Sequence, residues 1–322
     1  MMEPCLIRDV KSGSAACVAA HIGFNCFDFR PVVDGRIITV LDASAEFRFG
    51  KDRPNRNGIP ILFPYPNRIR AGRFCWQGTE YELSDAKIPF DAAGNAIHGF
   101  CLDRPWRVVG RSEDSVEGEF QLSRDAPERL DSWPADFIVR LRYSVRGATL
   151  SARFTLINPS DVPLPWGLGT HPYFRLPLAE ESRPQGCLIE TAATEAWELR
   201  DCLPTGKRMP VSADRDLREG VYFGTVALDD VLTGLPADVD YQETIIYDEA
   251  AGLQVSQRCD PLFRELVVYN PPGRDVVCLE PYTCVTDAVN LAQRGIDCGW
   301  QVLAAGAEVR IWFEIEAGPI LV

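Results

Sequence analysis

The chain has no uninterrupted apolar stretch approaching a bilayer span, so a membrane-crossing helix is not expected. Nor does it have a C-x-x-C pair or other close cysteine spacing of the metal-binding kind, and its cysteines number eleven, an odd count. Reduced thiols in a cytosolic protein, a few of them buried and inert, are therefore expected rather than a disulfide framework. Positive charge is in deficit: 33 Lys and Arg against 46 Asp and Glu leave a net charge of −13. That field repels phosphate backbones and anionic lipid heads, which argues against nucleic acid and membrane surfaces as partners. A neutral ligand meets no such repulsion. Glu3, Arg8, Asp9 and Lys11 precede the short apolar run 15–20, the wrong order for a signal peptide. No Pro/Gly/Ser-rich linker, charge block or internal repeat divides the sequence, so one domain over residues 1–322 is expected, and propellers and solenoids are not.

Period-2 patterning is abundant. Residues 36–40, 72–83, 106–110, 115–123 and 137–156 are β-branched and aromatic runs broken by turn residues, with hairpin turns expected at Gln77-Gly78 and Arg146-Gly147. The habit returns at 243–247, 253–257, 265–269, 276–279 and 308–315. Helical periodicity is scarce. Only 213–220 and 287–293 have room for two turns, the latter with Asp287 as N-cap. The pattern predicts an all-β sandwich. Loops 86–96 and 179–185 are the irregular excursions expected to rim a site.

Three histidines are present, and each can be weighed singly. His21 lies in a strand-like apolar stretch without polar company and is set aside. His98 stands in GNAIHGF, where glycines on both sides suggest a loop in close approach to something. His171 is followed by Pro172, which favours extended backbone at the histidine and restricts the direction of its side chain. Glu280 ends the apolar run VVCL, where a carboxylate is costly unless paired or used, so a buried ion pair and a catalytic base are both open. Arg68 and Asp229 are polar residues beside apolar ones, and each alone is compatible with a surface salt bridge.

Taken together, GIPILFPYPNRIRAGRFCWQGTEYEL (58–83), NAIHGF (95–100), GLGTHPYF (167–174) and LEPYT (279–283), with a DDV element at Asp229, resemble the motifs of the aldose 1-epimerase (galactose mutarotase) family in their order along the chain. The resemblance implies a β-supersandwich of largely antiparallel strands, with few short helices, that binds a monosaccharide without cofactor or metal. It implies that His171 acts as acid toward the ring oxygen and Glu280 as base, and that Asn67, Arg68, His98 and Asp229 bind sugar hydroxyls. Two departures stand out. Pro64 occupies a position where many members carry an arginine, which marks a divergent bacterial-type branch, and the family's DH pair reads Asp229-Asp230, with Asp229 favoured as the one facing the sugar.

The expectation is a cytoplasmic enzyme, monomer or homodimer, that interconverts the anomers of a free aldose such as galactose or glucose. Two alternatives accompany it. A hexose-6-phosphate 1-epimerase would need a cationic cradle, for which Arg68, Arg70, Arg73 and Arg104 are candidates. A non-catalytic carbohydrate-binding protein could use the same fold, but the presence of both His171 and Glu280 opposes it. A zinc site on His98 and His171 finds no third close ligand in the sequence.

Overall fold

The computed structural model describes residues 3–320. Its two large sheets are antiparallel. The nine-stranded sheet runs, in spatial order, Arg107–Arg111, Ser115–Gln121, Ile138–Arg146, Thr149–Ile157, Glu308–Pro319, Leu253–Cys259, Gln242–Asp248, Cys187–Thr191 and Val221–Tyr222. Alternation decides which way its strands face: Val139, Leu141, Tyr143 and Val145 are buried along one strand, and Leu150, Ala152, Phe154 and Leu156 along its neighbour. The second sheet runs Leu203–Pro210, Glu195–Arg200, Asp229–Thr233, Glu265–Tyr269, Val276–Tyr282, Gly169–Thr170 and Ile61–Leu62, with Tyr173–Arg175 also paired to Val276–Tyr282. Leu232, Leu266, Val268, Val277 and Leu279 from this sheet share one apolar cluster with the inward rows of the first, which is the core of a sandwich. Gln257 crosses it, donating from Nε2 to the Leu279 carbonyl at 3.1 Å.

Every residue of Val276–Tyr282 is buried. A strand covered on one face alone would alternate, so both of its faces are covered. Val277 and Leu279 face the core, while Val276, Cys278, Glu280 and Tyr282 lie on the opposite face.

Several expectations are adjusted. The strand expected at 276–279 continues through Glu280 to Tyr282, so the carboxylate sits within a strand instead of at its end. Residues 213–220 form turns and no helix. A helix does occupy Ala288–Gln293, but Asp287 has a left-handed backbone (φ 59°) and makes no side-chain cap bond; its Oδ1 accepts from the Arg70 amide at 3.0 Å. The Gln77-Gly78 turn is as expected, whereas the next hairpin turns one residue later, at Gly147-Ala148. All eleven cysteines are free, eight of them buried. No helix among the described residues is long and apolar enough to cross a membrane.

Candidate active site

Strand register assembles the site. Glu280 pairs with Val267, which pairs with Val231, and one row along the same face run Cys278, Tyr269 and Asp229. Asp229 therefore lies on the Glu280 face. Asp230 points the other way and is ion-paired with Arg215. Asp229 is exposed, at the margin of the site.

His171 follows the short strand Gly169–Thr170, and its amide is tied to the Pro60 carbonyl at 3.1 Å. Its imidazole stacks on Tyr173, with ring centroids 4.7 Å apart and planes 3° from parallel. Tyr173 is itself fixed: its hydroxyl donates to the Asn55 carbonyl at 2.7 Å, and the Arg274 guanidinium, ion-paired with Asp42, lies 5.0 Å from its ring. So held, His171 places Nε2 3.2 Å from Glu280 Oε1. The other carboxyl oxygen, Oε2, accepts a hydrogen bond from the Tyr282 hydroxyl.

His98 arrives on a loop. Its amide donates to the Asn67 carbonyl at 2.7 Å, and its ring meets that of His171 edge-on, with centroids 5.7 Å apart. A Cβ on Gly99 would fall 2.2 Å from the Phe63 carbonyl oxygen, so the loop can lie this close only with glycine there. Arg68 donates from Nε to Asp91 at 2.7 Å and from Nη1 to Asn67 Oδ1 at 2.8 Å. Loop 86–96 thus does border the site, through Asp91. Loop 179–185 instead lies beside Arg36, to which Glu181 is paired.

Burial dominates the electrostatics. It holds His171 down to about 3 and His98 well below the ordinary imidazole range, the second helped by His171. It pushes Glu280 well up, with the Asp229 charge adding to the rise and the Tyr282 hydrogen bond and Arg68 opposing it. Asp229 is also raised by desolvation, against the pull of Arg68. Both members of the His171–Glu280 pair are therefore driven toward their uncharged forms, a histidine without its second proton beside a protonated carboxyl.

Sequence reasoning missed Tyr173, Tyr282, Asp91, Arg274 and Cys278. Cys278 stands two residues before Glu280 within the expected strand, so alternation was the signal for it; Tyr282 had none, because the strand was expected to end before it. Among the described residues, Cys278 Sγ, His171 and Glu280 bring donor atoms within 4.8 Å of one another. The chemistry does not fit a metal: burial and Glu280 hold the thiol well above its usual range, and both carboxyl oxygens already have partners. His21 belongs elsewhere, near the Arg48 backbone.

The sequence profile of the aldose 1-epimerase family matches residues 39–316, and the chain belongs to this family. It is 26% identical over 257 residues to the uncharacterized protein YihR of Escherichia coli K12, spanning 79% of this chain and 77% of that one. A galactose mutarotase-like protein from Clostridium acetobutylicum superimposes with a TM-score of 0.85 at 22% identity, covering 96% of this chain and 94% of the other. A GalM/aldose epimerase homologue from Caenorhabditis elegans gives 0.80 at 18% identity, with coverages of 99% and 100%. At those identities the structural matches speak for the fold.

Proposed function

We propose that the protein is a mutarotase that interconverts the α and β anomers of a free aldose, with Glu280 as base and His171 as acid. The observation that carries this reading is the buried pair itself, Nε2 and Oε1 3.2 Å apart. The anomeric hydroxyl and the ring oxygen of an aldose are bonded to one carbon, so their base and acid must also be neighbours. Glu280 takes the hydroxyl proton while His171 protonates the ring oxygen; the bond from that oxygen to the anomeric carbon breaks and an aldehyde forms. After rotation about the bond between the first two carbons, His171 takes the proton of the re-attacking hydroxyl and Glu280 returns one to the carbonyl oxygen. Atoms and protons balance without an external donor.

The reactive arrangement needs His171 protonated and Glu280 ionised, which is one proton shared by the pair, as in the uncharged arrangement that burial favours. Transfer across the 3.2 Å contact converts one into the other. Asn67, Arg68, His98 and Asp229 supply the polar groups for sugar hydroxyls.

A neutral ligand is favoured over a sugar phosphate because the four candidate phosphate arginines already have carboxylate neighbours: Arg68 at Asp91 (2.7 Å), Arg70 at Asp287 (3.6 Å), Arg73 at Glu82 (2.6 Å) and Arg104 at Glu128 (2.5 Å). The deciding experiment follows freshly dissolved α-glucose and α-galactose by polarimetry or proton NMR, with and without protein. Faster equilibration is expected. Equilibration at the uncatalysed rate for every aldose tried would favour a carbohydrate-binding role instead.

A further inference from the structure

Proton transfer between His171 and Glu280 leaves one feature of the site unused, the polar groups around the far oxygen of the carboxyl. They begin with Asp91, whose Oδ1 accepts from the Ala93 and Asn95 amides, each at 2.9 Å, and whose Oδ2 accepts from Arg68 Nε at 2.7 Å. Arg68 Nη1 in turn donates to Asn67 Oδ1 at 2.8 Å. With its oxygen so occupied, the Asn67 amide has only its nitrogen left to offer the neighbouring Tyr282 hydroxyl. The Tyr282 hydroxyl gives its proton to Glu280 Oε2.

Building on the mutarotase reading, we propose that Tyr282 is a positioning residue for Glu280: it occupies Oε2 and leaves Oε1 as the only oxygen turned to His171. The Tyr282 ring packs against Gly169, where a Cβ would lie 2.5 Å from it, so the ring can lie this close only with glycine there. Its hydroxyl is fully buried, so no water competes for the carboxyl on that side. A donor fixed on a carboxylate favours the ionised form, the form a base requires. Tyr282 thus counters the burial that favours the protonated acid.

Glu280 is also faced by His171 and Tyr173 from the segment at 169–175, Asp229 and Tyr269 from the neighbouring strands, Cys278 on its own strand, and Arg68. Tyr282→Phe leaves all of these in place and removes one hydroxyl. The test labels glutamate side-chain carboxyls with 13C, identifies the Glu280 signal by its loss in Glu280→Gln, and titrates it in wild type, in Tyr282→Phe and in protein with 3-fluorotyrosine, a stronger donor, at position 282. Tyr282→Phe is expected to move the Glu280 titration up by about one pH unit and to lower kcat about tenfold with KM within about twofold. Fluorination is expected to move the titration down. A Glu280 titration unchanged by both substitutions in folded protein, or a loss confined to KM, would overturn the proposal. If the titration moves but wild type interconverts no aldose, the mutarotase reading falls while the hold of Tyr282 on Glu280 stands.

Discussion

Two glutamates lie on the same face of the same sheet, and they differ in what surrounds them. Glu280 pairs across the sheet with Val267, and Glu265 pairs across it with Tyr282. Both are buried, at 2% and 0% exposure, and burial raises both above the ordinary carboxyl range, Glu265 to about 7. Glu265 is clamped: Trp197 Nε1 donates to its Oε2 at 2.8 Å, and Arg264 Nε lies 3.4 Å from Oε1. The indole and the guanidinium keep their protons, so neither of these partners exchanges one with Glu265. Glu280 has an imidazole at 3.2 Å, which can. Desolvation alone does not make a carboxyl a base; a partner with a transferable proton, within reach of a polar margin for the ligand, separates the two sites.

The sharpest way to break this comparison is to remove each carboxyl's charge in turn. Glu280→Gln keeps the shape but cannot accept a hydroxyl proton, and kcat for anomer interconversion should fall by on the order of 10²-fold or more. Glu265→Gln should leave kcat within about twofold. Initial rates by polarimetry compare them, and wild-type turnover in Glu280→Gln would remove that residue from the chemistry.

Next in size is the imidazole that distinguishes the two environments. His171→Asn should cost more in kcat than His98→Asn, because the first loses the proton transfer and the second a hydrogen bond to the ligand. A larger kcat loss for His98→Asn at saturating sugar would exchange the two assignments.

How far the sequence exposed this arrangement depends on distance along the chain. Alternation within one strand, as at Val139, Leu141, Tyr143 and Val145, is local and could be read directly. The extension of Val276–Tyr282 beyond Leu279 could not, because Glu280 and Pro281 read as a strand end when only neighbours in sequence are considered. Pairing with Glu265–Tyr269 and Tyr173–Arg175 keeps that segment extended, and those partners come from elsewhere in the chain. The absent helix at 213–220 is similar: Leu217 is its one buried residue, too little for an amphipathic face. At the site, the motifs pointed to His171, Glu280, His98, Asn67, Arg68 and Asp229, which the fold brings around one strand. Asp91 went unnoticed because its role exists only once Arg68 has folded against it.

A third measurement sharpens the comparison through stability. A carboxyl near 4.5 when unfolded and about 7 when folded binds more protons in the native state between those values. Stability is then unaffected below the lower value, falls as pH rises between them, and carries the full penalty above the upper one, a swing of about 3 kcal/mol. Gln has no such titration. Urea unfolding of Glu265→Gln and wild type at pH 4.5 and pH 8 should find the variant's relative stability rising by about 3 kcal/mol between them. A pH-independent difference would mean that Glu265 ionises in the folded protein as readily as in the unfolded chain.

The smallest expected effect concerns what this acid-bearing face admits. Glu280, Glu265 and Asp229 share it, and none would welcome an anionic group alongside. One cation-bearing cavity, of about 320 Å3, is lined by Arg70, Arg200, Lys207 and Arg294 together with Glu198 and Asp201. If the ligand is a neutral aldose, those cations take no part, and kcat/KM for glucose should change little between low and high salt, since hydrogen bonds to hydroxyls involve no ligand charge to screen. Arg200→Ala and Lys207→Ala should be equally silent. Glucose 6-phosphate should be the poorer substrate at both ionic strengths. Were it preferred, most strongly at low salt and less so after those substitutions, the cationic cavity would belong to the substrate site, and the contrast between Glu280 and Glu265 would have to be rebuilt around a charged ligand.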